Sequence, residues 1–147
     1  MPLCLDAALA YAAKGWRVLP LNGKVALLKD WPHTATTDPA TIRTLFAKEC
    51  NLGLATGHGL CVLDVDVKTV DGEATLQGWE GDATPLPKTY TVKTPSGGTH
   101  YYFTSAICPT KAAIGPGLDV RGDGGYVVAP PSAGYVLVDD APLAPLP

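Results

Sequence analysis

From Asn51 onward the apolar residues of this chain recur at every second position, and that switch of period limits what it can fold into. Before it, Leu5, Ala8, Leu9 and Ala12 keep helical spacing and stop at Gly15. Trp16 to Leu21 reads as a short strand closed by the Asn22-Gly23 turn, and Lys24 to Thr37 as an ordered loop. Asp38-Pro39 starts a second helix, with Asp38 as cap, proline in the first turn, and Ile42, Leu45 and Phe46 on the buried face. After the switch, Asn51 to Thr56 and Leu60 to Val67 read as strands joined in a hairpin by Gly57-His58-Gly59. A helix is expected from Asp71 to Trp79. Further strands are expected at Thr89 to Thr94, Thr99 to Thr104, Leu118 to Arg121, Tyr126 to Ala129 and Tyr135 to Val138. Helices early and strands late favour an α+β sheet over alternating βαβ units.

The chain has 147 residues, enough for one domain with a real core. With 46% hydrophobic and 17% charged residues it has a globular rather than a disordered composition. The expected division is a folded domain over 1–140 and a proline-rich tail over 141–147, the start of a linker. No apolar run approaches the roughly 20 residues that span a bilayer, and Met1 to Ala10 lacks the features of a signal peptide. A cytoplasmic protein without membrane contact is expected. Cys4, Cys50, Cys61 and Cys108 form no CxxC pair, so neither zinc nor a disulfide framework is expected, and free buried thiols are.

Three segments carry chemistry. In Leu60 to Val67, alternation puts Cys61, Leu63, Val65 and Val67 on one face, and Leu60, Val62, Asp64 and Asp66 on the other. Two acids at the end of one strand face suit an oxygen-loving divalent cation; Asp-x-Asp alone equally suits a strand that exits to solvent. In Thr94 to His100, the Pro95-Ser96-Gly97-Gly98 turn lets backbone N–H groups approach an anion, and His100 follows on the next strand. A plain hairpin turn is the alternative. In Gly117 to Gly125, Asp119 and Arg121 share a face, an acid beside a cation where metal and phosphate meet, or a surface ion pair.

The order and wording of these segments resemble the bifunctional primase-polymerase domain of the archaeo-eukaryotic primase superfamily, found in phage and plasmid replication proteins. The resemblance starts at Ala8-Leu9-Ala10-Tyr11-Ala12 and runs through Gly15-Trp16-Arg17-Val18-Leu19-Pro20-Leu21, Thr36-Thr37-Asp38-Pro39 and Thr56-Gly57. It includes Val62-Leu63-Asp64-Val65-Asp66, Thr94 to His100, and Gly117 through Ser132. It implies an RRM-like mixed or antiparallel sheet flanked by helices, with a small N-terminal α/β part. It also implies a nucleotidyltransferase, a DNA-directed polymerase or primase. By resemblance Asp64, Asp66 and Asp119 are the catalytic metal ligands, holding Mg²⁺ or Mn²⁺, expected as two ions. Ser96, Gly97, Gly98, His100 and Arg121 would bind the nucleotide. The implied partners are DNA template and primer, ribo- or deoxyribonucleoside triphosphates, and a C-terminal helical or helicase region of a longer protein. Some relatives insert a zinc-binding stem between the second and third segments; here that interval is short and holds Cys108 alone, so no zinc is expected.

The net charge of −3 does not oppose a nucleic-acid partner once three acids are assigned to cations. Two other readings use the same residues: a metal-dependent nuclease, which would shorten DNA without nucleotides, and a non-catalytic nucleotide- or DNA-binding module.

Overall fold

A computed structural model describes residues 3–68, 71–82 and 86–146. In chain order the elements are α1 (Leu3–Ala13), β1 (Val18–Asn22), β2 (Val25–Ala26), α2 (Trp31–Thr34), α3 (Pro39–Leu45), β3 (Asn51–Ala55) and β4 (Gly59–Val65). They continue with α4 (Gly72–Asp82), β5 (Tyr90–Lys93), β6 (Thr99–Ser105), β7 (Lys111–Gly115), β8 (Leu118–Arg121), β9 (Tyr126–Ala129), β10 (Val136–Asp139) and β11 (Ala144–Pro145). The α+β class read from the sequence holds: few helices accompany two sheets whose strand pairs are antiparallel, except for β11 on β6.

Two compact units divide the chain. The first comprises Met1–Ala55 and Tyr126–Tyr135. Its sheet has the order β2-β1-β3-β9, with Leu19, Leu21, Ala55 and Val128 forming a core cluster. Trp31 packs on that cluster and meets Tyr126 edge to face, ring centroids 4.9 Å apart, the geometry aromatic quadrupoles favour. Helix α1 buries Cys4, Ala8 and Tyr11, one residue round from the expected stripe of Leu5, Ala8, Leu9 and Ala12. Tyr11 decides the rotation: its ring stacks on Trp16 while its hydroxyl donates to the Pro130 carbonyl at 2.8 Å. Asp38 caps α3 as expected, accepting from the Thr41 N–H at 3.0 Å, with Pro39 in the first turn. The expected loop from Lys24 to Thr37 instead holds β2 and the single turn α2.

The second unit comprises Thr56–Gly125 and Val136–Pro147. Its sheet runs β10-β5-β6-β4-β8-β7, with β11 added beside β6. The hairpin expected across Gly57-His58-Gly59 does not form: β3 pairs with β1 and β9, and β4 with β6 and β8. The two strands belong to different sheets, and the turn carries the chain from one to the other. Strand β4 is central, so Leu60 to Leu63 are buried on both faces, and the alternation marks the direction of a side chain rather than its exposure. Leu63 and Val65 pack with Leu76 of α4, Phe103 and Leu118. Val65, Phe103 and Leu118 are fully enclosed, each contributing roughly 1.5–3 kcal/mol.

One more expectation fails here. Cys61 and Cys108 are joined by a disulfide across Cα atoms 5.9 Å apart, so only Cys4 and Cys50 are free. Their wide sequence spacing says nothing of cross-sheet proximity, which is why the pairing is invisible in the chain. The proline-rich end also carries structure. Ala144 and Pro145 pair with Phe103 and Thr104, the Ala144 N–H donates to the Thr89 hydroxyl at 3.0 Å, and the Leu146 N–H to the Thr104 carbonyl at 2.9 Å. Among the described residues no helix is long and apolar enough to cross a membrane.

Candidate active site

Register places the key residues. On β4, Asp64 stands opposite His100 of β6 on one side and Asp119 of β8 on the other. Val92 of β5 lies beyond His100, so Val92, His100, Asp64 and Asp119 form one cross-strand row. Cross-strand partners share a face, with Cβ atoms roughly 4.5–5.5 Å apart. The next row on that face holds Tyr90, Tyr102, Val62 and Arg121. Fully buried Val62 and Tyr102 support the polar row from beneath in the sheet.

Both acids of the row make polar contacts. His100 Nε2 lies 3.3 Å from Asp64 Oδ1, with the histidine side chain 8% and the aspartate 24% exposed. A nearly buried imidazole against a quarter-exposed carboxylate fixes that carboxylate more firmly than solvent would. Arg121 Nη2 lies 3.8 Å from Asp119 Oδ2, both about one-third exposed, a looser pair whose guanidinium retains donors for other acceptors.

Asp66 sits differently. It lies beyond the end of β4, is exposed, and its Oδ1 accepts from the Lys68 N–H at 2.8 Å. Its backbone is held on both sides: the Asp66 N–H donates to the Gly117 carbonyl, and the Asp66 carbonyl accepts from the Gly72 N–H, each at 2.8 Å. These contacts require glycine. A Cβ on Gly72 would come within 2.4 Å of the Gly117 oxygen, and one on Gly117 within 2.7 Å of the Asp66 oxygen. Gly72 and Gly117 therefore position an acid that the sequence alone named, and sequence reasoning assigned them no such role. The signal available was a glycine directly after Asp71 and another directly before Leu118-Asp119.

The Thr94–Gly98 turn closes the β5–β6 hairpin at the same end of β4. Gly97 takes φ +87° and its N–H donates to the Thr94 carbonyl at 3.0 Å. A Cβ on Gly98 would come within 2.4 Å of the Val65 oxygen. Both glycines thus have a local structural reason, the first a left-handed conformation and the second close approach to β4. Ser96 is exposed, its hydroxyl 3.4 Å from that of Thr94.

The expected cation can be weighed against this arrangement. Carboxylates at one end of a sheet are the donors that Mg²⁺ and Mn²⁺ select. The second unit carries ten acidic against five basic side chains, an excess that a cation would offset next to phosphates. Asp64 and Asp119, opposite each other in register, are the part of the set that fits. Among the described residues no three His, Cys, Asp or Glu side chains are gathered closely enough to hold a metal ion together.

The family model described as bifunctional DNA primase/polymerase, N-terminal, covers residues 8–147. No curated protein matches the chain.

Proposed function

The chain belongs to the bifunctional DNA primase/polymerase N-terminal family, and from that membership we propose that it performs template-directed nucleotidyl transfer in phage or plasmid DNA replication. The observation that carries this reading is the row His100–Asp64–Asp119, which brings segments remote in sequence to one place on one sheet face. In the reaction a primer 3′-hydroxyl oxygen bonds to the α-phosphorus of a nucleoside triphosphate, the bond to the bridging oxygen breaks, and pyrophosphate leaves.

Asp64 and Asp119 are the residues that would hold a divalent cation, with Asp66 as a further carboxylate nearby. Bound there, such a cation would lower the pKa of the attacking hydroxyl and offset charge on the leaving phosphates. His100 orients the Asp64 carboxylate through Nε2. Arg121, whose guanidinium is partly exposed beside Asp119, offers N–H donors to triphosphate oxygens, and the Ser96 hydroxyl offers another from the turn.

Extension of a labelled primer on a DNA template, with Mg²⁺ or Mn²⁺ and with or without nucleotides, tests this. Template-ordered growth is expected, with no shortening of DNA in the nucleotide-free arm. Asp64→Ala or Asp119→Ala should lower extension at least about 100-fold, the scale of removing electrostatic stabilisation of a reacting centre, with the near-UV circular dichroism unchanged. Undiminished extension by folded Asp64→Ala would defeat the assignment.

A further inference from the structure

Charge is unevenly shared between the units. The first holds six basic against four acidic side chains, the second five against ten. Phosphates are therefore repelled by the second unit except at its site, and attracted by the first.

The first unit also carries an open cavity of about 620 Å³. That lies within the roughly 300–1,000 Å³ typical of small-molecule sites. Its walls combine apolar surface from Leu21, Leu27 and Pro131 with polar groups from Asn22, Glu49 and Asn51. Amide and carboxylate groups set in apolar walls have the chemistry to read the edge of a nucleobase while its faces pack. Three exposed lysines border the lining in sequence: Lys24 follows Gly23, Lys29 lies two residues past Leu27, and Lys48 precedes Glu49. Between Lys24 and Lys29 the chain exposes Val25, Leu27 and Leu28 at 68%, 52% and 36%.

The segment is pinned rather than loose. The Leu27 N–H donates to the Pro20 carbonyl at 3.1 Å, the Tyr126 hydroxyl to the Lys24 carbonyl at 2.7 Å, and Asn51 Nδ2 to the Gly23 carbonyl at 3.1 Å. A rigid apolar and basic rim beside a concave, mixed-polarity cavity costs little ordering when a ligand arrives.

We propose that this cavity seats one unstacked base of a single-stranded nucleic acid, with the adjoining phosphates on Lys24 and Lys29. Single-stranded substrate follows from the concavity, because a base stacked in a duplex cannot enter it. The inference rests on the reading of the chain as an enzyme of nucleic acids, and it locates a binding site outside the catalytic unit.

Fluorescence anisotropy with a short labelled single-stranded DNA of mixed sequence tests it, over a range of salt concentrations. Lys24→Ala/Lys29→Ala should weaken binding at least about 5-fold and flatten the slope of log K against log salt by about 1.4, at about 0.7 per phosphate released. Ala133→Trp, which fills the cavity from an exposed wall position, should weaken binding at least about 5-fold with the salt slope unchanged. Leu27→Glu gives a second probe of the wall should Ala133→Trp not fold. Equal binding of duplex, unchanged affinity in the folded variants, or preference for anionic vesicles over DNA would each overturn the proposal. Failure of primer extension with this binding intact would sink the polymerase reading and leave the site standing.

Discussion

At the scale of single residues, glycines show where the backbone crowds the site. Gly122 follows Arg121 directly, and a Cβ there would come within 1.8 Å of the Cys108 carbonyl oxygen. Backbone cannot yield as a side-chain tip does, so Gly122→Ala should destabilise by about 3 kcal/mol, the upper range for overpacking. Urea unfolding checks this, with Gly124→Ser as the comparison: Gly124 has φ +78° but open space around it, so its cost is conformational alone. Asp64, Asp119 and His100 were all legible as residues, because each sits in a distinctive run of words. Gly72 and Gly117 were not, because their importance lies in an atom on another segment and no local pattern encodes that. Cys4 was correctly read as a buried free thiol; burial pushes its pKa up to about 11, with Cys50 and Glu49 nearby adding to the rise. It should resist alkylation at neutral pH until the fold is lost, which mass spectrometry after timed iodoacetamide exposure would register.

Elements were legible wherever a local rule governed them. The start of α3 was fixed by Asp38-Pro39, and its energetics carry a pH signature. Hydrogen bonds from the Thr41 hydroxyl and then the Thr41 N–H hold the Asp38 carboxyl below its usual 3.8. A lowered folded value means stability that is complete above the unfolded value and lost as pH falls through the folded one. Asp38→Ala should therefore show a lower urea midpoint than the wild type at pH 7, and the gap should close below pH 3.8. A gap that persists unchanged in acid would show that the cap acts other than through its charge. The strand pattern of β4 was equally plain, since alternation is a local property. Its pairing was not. Gly57-His58-Gly59 has the composition of a hairpin turn, yet His58 at φ +50° belongs to a connection that changes sheets. Turn chemistry reports a bend in the chain and leaves the partner strand open. Helix α1 missed by one position for a similar reason: hydrophobicity ranked Leu5 and Leu9 above Tyr11, but Tyr11 alone has both a ring partner and a hydroxyl acceptor.

For the molecule as a whole, the α+β class followed from the late run of period-two segments, while the division into two units and the disulfide did not. Both depend on contacts between segments far apart in the chain. The Cys61–Cys108 bond closes a loop of 47 residues within the second unit. By the chain-entropy argument it contributes about 2–4 kcal/mol. Reduction with a thiol should lower the urea midpoint accordingly, and Cys61→Ala/Cys108→Ala should match the reduced wild type; an unshifted midpoint would mean the bond is not formed in solution. The row of Asp64, His100 and Asp119 has a different consequence. Its members come from β4, β6 and β8, so the outer two meet only after both have docked on the strand between them. Asp64 and Asp66 share one stretch of chain, but His100 and Asp119 each come from another. On the proposed reading, a nascent or nicked chain that has formed helices, a hairpin and a partial sheet would remain chemically silent, so activity would serve as a proofreader of assembly: it would begin only once β6 and β8 have both docked on β4.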